Sequence, residues 1–313
     1  ERPELETYKY PMPGEDSVGR GELWIYDLEE REKTLVQDTT WTDQSLSVVD
    51  DRQFRYPGSE EPERRLWLSE GSENLWYERQ SRDRTKADLR VADAETGRVK
   101  RTVVEERFNT FFHTQRPELL SGGDVLWLSE RDGWSHLYRY GPDGAVEDQL
   151  TEGDWHVDEI KAVDEEEGVV YVTGNGREEG EDPYYDHLYR VQLDGSGIEL
   201  LNPGDADHSA MMNESARFFV DNYSRVDTTP QSVLRNAEGE VVTELQTADL
   251  SALKDDGWKM PEPFRVKAAD GVTDLYGVMY KPFDFDPEKE YPVVTYVYPG
   301  PQTEAVPKSF APS

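Results

Sequence analysis

The chain contains no cysteine, which excludes disulfides, thiolate catalysis and cysteine-ligated metals and removes the usual cue to redox compartment. Basic residues are scarce: 34 Lys and Arg stand against 67 Asp and Glu, a formal net charge of −33. Such a surface repels nucleic acid and anionic membranes, so neither is expected as a partner. It has the character of surfaces adapted to high salt, where ionic screening suppresses self-repulsion. No run approaches the roughly 18 apolar residues that span a bilayer, and the opening ERPELETYKYP has no signal-peptide pattern, so membrane insertion by this segment is not expected. His136, His156, His187 and His208 share no ligand spacing with Asp or Glu. Neither a metal nor a cofactor is therefore expected.

What is present is aromatic and finely punctuated. The 313 residues include 17 Tyr, 10 Phe and 8 Trp, with 24 Gly and 19 Pro. That supply suits many short strands joined by turns better than helices, and it argues against disorder. Short apolar strands centred on Trp76, Trp127, Tyr171 and Phe219 recur at steps of 51, 44 and 48 residues. Each is followed by a second strand that runs into a glycine turn: DLRVADAETG from Asp88, HLYRYGPDG from His136, HLYRVQLDG from His187 and QSVLRNAEG from Gln231. A third strand follows each turn, and a weaker one precedes each unit, as VDEIKAVD precedes VVYVTG.

Units of four antiparallel strands at this period are the signature of β-propeller blades. One such sheet cannot cover both its faces, and stacking against neighbours does. The segment GELWIYDLEEREKTLVQD, from Gly21, matches only the last two strands of a unit. The predicted fold is therefore all-β, with a partial propeller of about four and a half blades over residues 1–248. A linker at 249–261 holds a short helical turn near Leu250. Residues 262–313 then read as the opening strands of an α/β domain, with a hairpin turning near Asp270-Gly271. The nearly continuous apolar run YPVVTYVYPGP is expected to be a strand buried on both faces. The chain ends at KSFAPS soon after that run, the pattern expected of a segment cut from a longer protein.

Three phrases in order carry a family resemblance. YPMPGEDSVGRGELWIYDL, from Tyr10, WLSERDGWSHLYRY with LTEGDWHVDEI over 127–160, and LYGVMYKPFDFDPEKEYPVVTYVYPGP, from Leu275, resemble the dipeptidyl peptidase IV branch of the prolyl oligopeptidase family of serine peptidases. The last phrase resembles the hinge where the propeller meets an α/β-hydrolase domain. The resemblance implies removal of N-terminal dipeptides with Pro or Ala in second position, peptide substrates, a periplasmic or secreted location, and room for a homodimer through a propeller extension near the first 14 residues.

An α/β-hydrolase nucleophile sits in a G-x-S-x-G elbow, and the chain contains none, so the Ser, Asp and His of the triad are expected outside these residues. Gly133-Trp134-Ser135 imitates the family's nucleophile motif but lacks the trailing glycine and falls between two blade strands, where a turn is the simpler reading. Asp154-Trp155-His156-Val157-Asp158-Glu159 imitates the acid pair that anchors the substrate ammonium, yet it lies at a strand crossing. The run 164–168 reads as a solvated turn. Tyr298, in VYPGP, matches the family tyrosine whose hydroxyl stabilises the tetrahedral oxyanion. Pro299 departs from the family's Gly or Ala. Phe112 and His113, beside Phe111, align with a Phe-Arg pair lining the substrate pocket, with His113 in place of Arg. Clustered Phe residues are also ordinary core.

The competing reading is a non-enzymatic scaffold propeller that binds proteins, with an unrelated C-terminal extension, which the strand repeat alone fits equally well. The VYPGP strand is what separates the two, because a scaffold has no need of it.

Overall fold

The computed structural model describes residues 15, 18–39, 41–49, 52–54, 63–65, 72–213, 215–298 and 305–311. The YPMPG phrase, the segment associated with dimerisation and Pro299 lie outside these residues. The first sheet pairs β1 (Trp24–Tyr26) with β2 (Lys33–Leu35), the outer half-blade expected from the sequence. The next blade begins at β3 (Ser45–Val48). A hairpin of β4 (Arg52–Phe54) and β5 (Glu63–Arg65) is inserted before the blade resumes as β6 (Asn74–Gln80), β7 (Lys86–Asp93) and β8 (Val99–Arg107). Three more four-stranded antiparallel sheets follow, each in simple sequence order. They are β9 (Glu118–Leu119), β10 (Val125–Ser129), β11 (His136–Tyr140) and β12 (Val146–Gln149); β13 (His156–Asp164), β14 (Val169–Asn175), β15 (Asp186–Gln192) and β16 (Ile198–Leu200); and β17 (Asp207–Met212), β18 (Phe218–Ser224), β19 (Gln231–Asn236) and β20 (Val241–Thr247). Trp76, Trp127, Tyr171 and Phe219 all sit on the second strand of their blade.

The chain divides into two compact units, Glu1–Trp127 with Arg139–Glu147, and Leu128–Tyr138 with Asp148–Ser313. In the first, Val36, Leu75, Tyr77 and Ala92 form a core to which the half-blade contributes Leu23 and Ile25. In the second, Val169, Tyr171, Leu188 and Leu201 of one blade pack on Ala210, Ala216 and Phe219 of the next. Fully burying an aromatic or branched side chain of this size stabilises by about 1.5–3 kcal/mol. Burial follows blade position: every residue of β14 from Val169 to Gly174 is buried, whereas every residue of the outer strand β20 is exposed.

The glycine turns have a packing reason as well as a conformational one. Gly97 (φ 67°) and Gly239 (φ 81°) close the hairpin between the third and fourth strands of their blades. A Cβ at Gly97 would collide with the Leu35 carbonyl, and one at Gly239 with the Leu201 carbonyl, each on the preceding blade. Buried charge is also placed by blade geometry. Arg79 on β6 holds Asp88 on β7 at 2.8 Å, and Arg235 on β19 holds Asp221 on β18 at 2.9 Å. Each pair ties the second strand to the third, so these buried carboxylates are partnered within the fold.

Beyond the blades lie α1 (Ser251–Asp255) and the hairpin β21 (Glu262–Lys267) with β22 (Asp274–Met279). Asp270 accepts hydrogen bonds from the Val272 and Thr273 N–H groups and Gly271 takes φ 75°, which shapes the turn. The run ending in Tyr298 departs from expectation. It is not a strand, and Val294 is 94 % exposed. An extended segment becomes a strand only when a neighbour pairs its N–H and C=O groups, and no described strand lies beside this one. No helix among the described residues is long and apolar enough to cross a membrane.

Candidate functional site

Phe112 and His113 follow β8 in the first unit, on a loop that folds back onto the blade. The Phe112 N–H donates to the Arg84 carbonyl at 3.0 Å, and the Gln80 side-chain amide donates to the Phe112 carbonyl at 3.5 Å. These bonds turn the Phe112 ring inward against Phe108, at 4.6 Å between centroids, leaving it 4 % exposed. Phe111 points the other way, 48 % exposed, with the exposed His113 ring edge-on to it at 4.9 Å. The Arg84 guanidinium lies over Phe111 at 5.7 Å. The outward aromatic face is thus made by Phe111 and His113, while Phe112 packs inward on Phe108. Tyr298 belongs to the second unit, where its ring is 56 % exposed.

The two imitative motifs are structural. Ser135 is buried and its hydroxyl donates to the Val157 carbonyl at 2.7 Å, while Gly133 takes φ 105° in the turn between β10 and β11. The neighbouring His136 is occupied by Thr151 at 3.0 Å and the Gly153 carbonyl at 2.9 Å. Among the described residues no base is therefore poised to activate Ser135. Trp155 is buried, donates to the Glu152 carbonyl at 2.8 Å and packs on Tyr189 at 5.2 Å. Glu159 pairs with Lys161. In the acidic turn, Asp164 accepts from the Glu166 and Glu167 N–H groups at 3.1 Å, which fixes the turn and leaves the glutamates in solvent.

A further constellation in the second unit, announced by no sequence motif, joins residues distant in the chain. The Lys308 ammonium lies 3.0 Å from Asp182 and over the rings of Tyr184 at 4.5 Å and Tyr276 at 5.4 Å. A cavity of about 420 Å³ beside it is lined by Tyr184, Asp186, Asp207 and residues 305–308. Burial pushes the Asp186 carboxyl up and the Asp158 charge raises it further, against a hydrogen bond from Asn175 that lowers it. Burial also raises Asp207, and the Asp186 charge adds to this despite hydrogen bonds from the Asp186 N–H and Ser309. Like charges sharing a poorly solvated site oppose ionisation together. Among the described residues no group of three or more His, Asp or Glu is placed to hold a metal ion.

The family profile described as the dipeptidyl peptidase IV (DPP IV) N-terminal region matches residues 1–230. Dipeptidyl-aminopeptidase B of Aspergillus niger is 27 % identical, the match covering 99 % of this chain and 34 % of that protein. Dipeptidyl peptidase 4 of Trichophyton tonsurans is 26 % identical over 83 % of this chain and 35 % of its own length. The crystal structure of Porphyromonas gingivalis dipeptidyl peptidase 4 superposes with a TM-score of 0.76 at 20 % identity, covering 98 % of this chain and 41 % of that one. This chain therefore spans about a third of the length of the curated relatives it matches.

Proposed function

The chain belongs to the dipeptidyl peptidase IV family, and we propose that it forms the propeller-bearing part of a serine exopeptidase that removes N-terminal dipeptides with Pro or Ala in second position. The observation that carries this reading is the family match over residues 1–230 together with relatives named as dipeptidyl peptidases. Since no G-x-S-x-G occurs in the 313 residues, the nucleophile and its triad partners are supplied by sequence outside them. The boundaries that go with it are a partial propeller at 1–248, a linker at 249–261 and hydrolase strands from 262.

Tyr298 is the proposed oxyanion donor. Its exposed ring leaves the hydroxyl accessible, and a donor fixed where negative charge develops stabilises the transition state more than the ground state. Phe112 and His113 are the proposed pocket contacts, with the Phe111 ring beside His113. Two finer parts complete the reading: a salt-adapted surface, supported by the charge of −33, and a homodimer, supported by the family resemblance and tested by light scattering.

The direct test is hydrolysis of Gly-Pro and Ala-Pro chromogenic amides. The 313 residues alone should give no turnover, because binding groups without a nucleophile open no acyl-enzyme route. The polypeptide encoded by the whole reading frame should release dipeptides. A whole polypeptide that folds yet hydrolyses neither amide would favour the scaffold reading.

A further inference from the structure

We propose that a cavity at the seam between the blade of β13–β16 and the blade of β17–β20 binds a small zwitterion of short-peptide type. The Tyr171 hydroxyl and the Arg190 Nε–H receive its carboxylate, and carboxylates at the mouth receive its ammonium. The inference goes beyond the exopeptidase reading and does not depend on it.

Cross-strand pairing builds the inner wall on one face of the first of these blades. Val169 pairs with Asp164 and Gln192, and Tyr171 pairs with Ala162 and Arg190, so each row presents its side chains to the same side. Val169 and Tyr171, two residues apart on β14, face the next blade and pack with its Ala216 and Phe219. Beside that contact the two blades leave a cavity of about 640 Å³. Its other wall is formed by two turns, each fixed by an asparagine. Asn213 Oδ1 accepts the Arg217 and Phe218 N–H groups at 3.1 and 3.2 Å, and Asn236 Oδ1 accepts the Glu238 N–H at 3.2 Å. The opening is thus shaped by the hydrogen bonds of the fold itself.

Polar groups on this cavity lack partners. Tyr171 is 2 % exposed, yet its hydroxyl makes no hydrogen bond among the described residues. The charges that act on it are those of Arg190, Asp164, Glu238 and Glu167, all of which line the cavity, so the hydroxyl faces it. Arg190 pairs with Glu199 through Nη2, but its Nε–H is buried with no acceptor among the described residues. Buried donors left unpaired are destabilising, and two on neighbouring strands call for a shared acceptor. The exposed Arg217 guanidinium, which makes no ion pair among the described residues, adds positive charge on the same cavity. Against these stand the exposed carboxylates of Glu166, Glu167 and Glu238. They would repel a plain anion, in a chain that already carries a net charge of −33. A plain cation would leave the inner donors unanswered and meet two guanidiniums. Nor are the acids grouped to hold a metal ion, among the described residues. A zwitterion answers both sets of charges. Val169, Ala216 and Phe218 give the same cavity an apolar part, which suits the aliphatic side chain of a short peptide.

Isothermal titration calorimetry of the 313-residue chain with the dipeptide Gly-Leu tests the site. Gly-Leu should bind, and N-acetyl-Gly-Leu and Gly-Leu amide, which each lack one of the two charges, should bind roughly tenfold more weakly. Tyr171→Phe keeps the packed ring and should weaken Gly-Leu by roughly tenfold or more, the loss of one hydrogen bond to a charged group. Its melting temperature without peptide should stay at or above the parental value, because the deleted hydroxyl has no partner in the fold. Glu238→Gln, on an exposed turn, should weaken Gly-Leu several-fold, more in dilute buffer than in salt, and serves if the Phe variant does not fold. Absence of Gly-Leu binding overturns the site. Equal binding of the free and blocked peptides overturns the zwitterion. Parental affinity in both variants puts the peptide elsewhere and overturns the assignment to this cavity. A lowered melting temperature in Tyr171→Phe would mean that the hydroxyl is already partnered within the fold, and overturns the premise.

Discussion

His208 Nδ1 lies 2.9 Å from Asp221 Oδ1, with both side chains buried on adjacent strands of one blade. The same carboxylate accepts from Arg235 Nε at 2.9 Å and Asn202 Nδ2 at 3.3 Å. Burial pushes the Asp221 carboxyl up, but the hydrogen bond and charge of His208, with Asn202 and Arg235, outweigh it and hold the group below its ordinary value. A depressed folded-state value contributes stability that is present above the unfolded carboxyl range and lost as pH falls through the folded value. Asp221→Asn should therefore destabilise the chain by about 3 kcal/mol at neutral pH, since it leaves the Arg235 guanidinium buried without its anion. The difference from the parent should shrink on acidification. Chemical denaturation across pH checks this; a constant difference from neutral to acidic pH would assign the loss to packing.

The glycine turns offer a paired comparison. Gly239 and Gly195 both have positive φ, at 81° and 72°, but only Gly239 faces a carbonyl that a Cβ would strike. Gly195→Ala should cost about 1 kcal/mol for the left-handed backbone alone. Gly239→Ala should cost more, on the order of 2–4 kcal/mol, because the hairpin must also withdraw from Leu201. Equal losses measured by denaturant unfolding would mean that the hairpin does not pack on the preceding blade.

The charge of −33 predicts a salt response. Self-repulsion should lower the melting temperature in dilute buffer, and screening should raise it as NaCl approaches 1 M, where the Debye length falls to about 3 Å. A melting temperature that is flat or falls over that range contradicts the salt-adapted surface.

The blades were legible in the sequence because their cause is local. A strand with an aromatic centre, a hairpin with an obligatory glycine and a fixed step between repeats are all written within about 50 residues, and Trp76, Trp127, Tyr171 and Phe219 occupy equivalent strands as that step requires. The short helix beside Leu250 and the half-blade at Trp24–Tyr26 were legible for the same reason. Hydrophobicity misled at Val293 and Val294, where composition gives a buried strand but pairing depends on a neighbour elsewhere in the chain. It also could not separate Phe111 from Phe112, because the loop's hydrogen bonds to Arg84 and Gln80 decide which ring turns inward. The Lys308–Asp182 contact spans 126 residues, and neither residue carries a motif.

The decisive measurement is kcat and KM of Tyr298→Phe in the polypeptide encoded by the whole reading frame on a Gly-Pro amide, with folding of the variant confirmed by circular dichroism. The substitution deletes one hydroxyl and keeps the ring. The expected result is a fall in kcat on the order of 10²- to 10³-fold with KM nearly unchanged, the signature of a donor that binds the oxyanion more strongly than the ground-state carbonyl. A folded variant that retains parental kcat would make Tyr298 an ordinary surface aromatic and contradict the proposed oxyanion role.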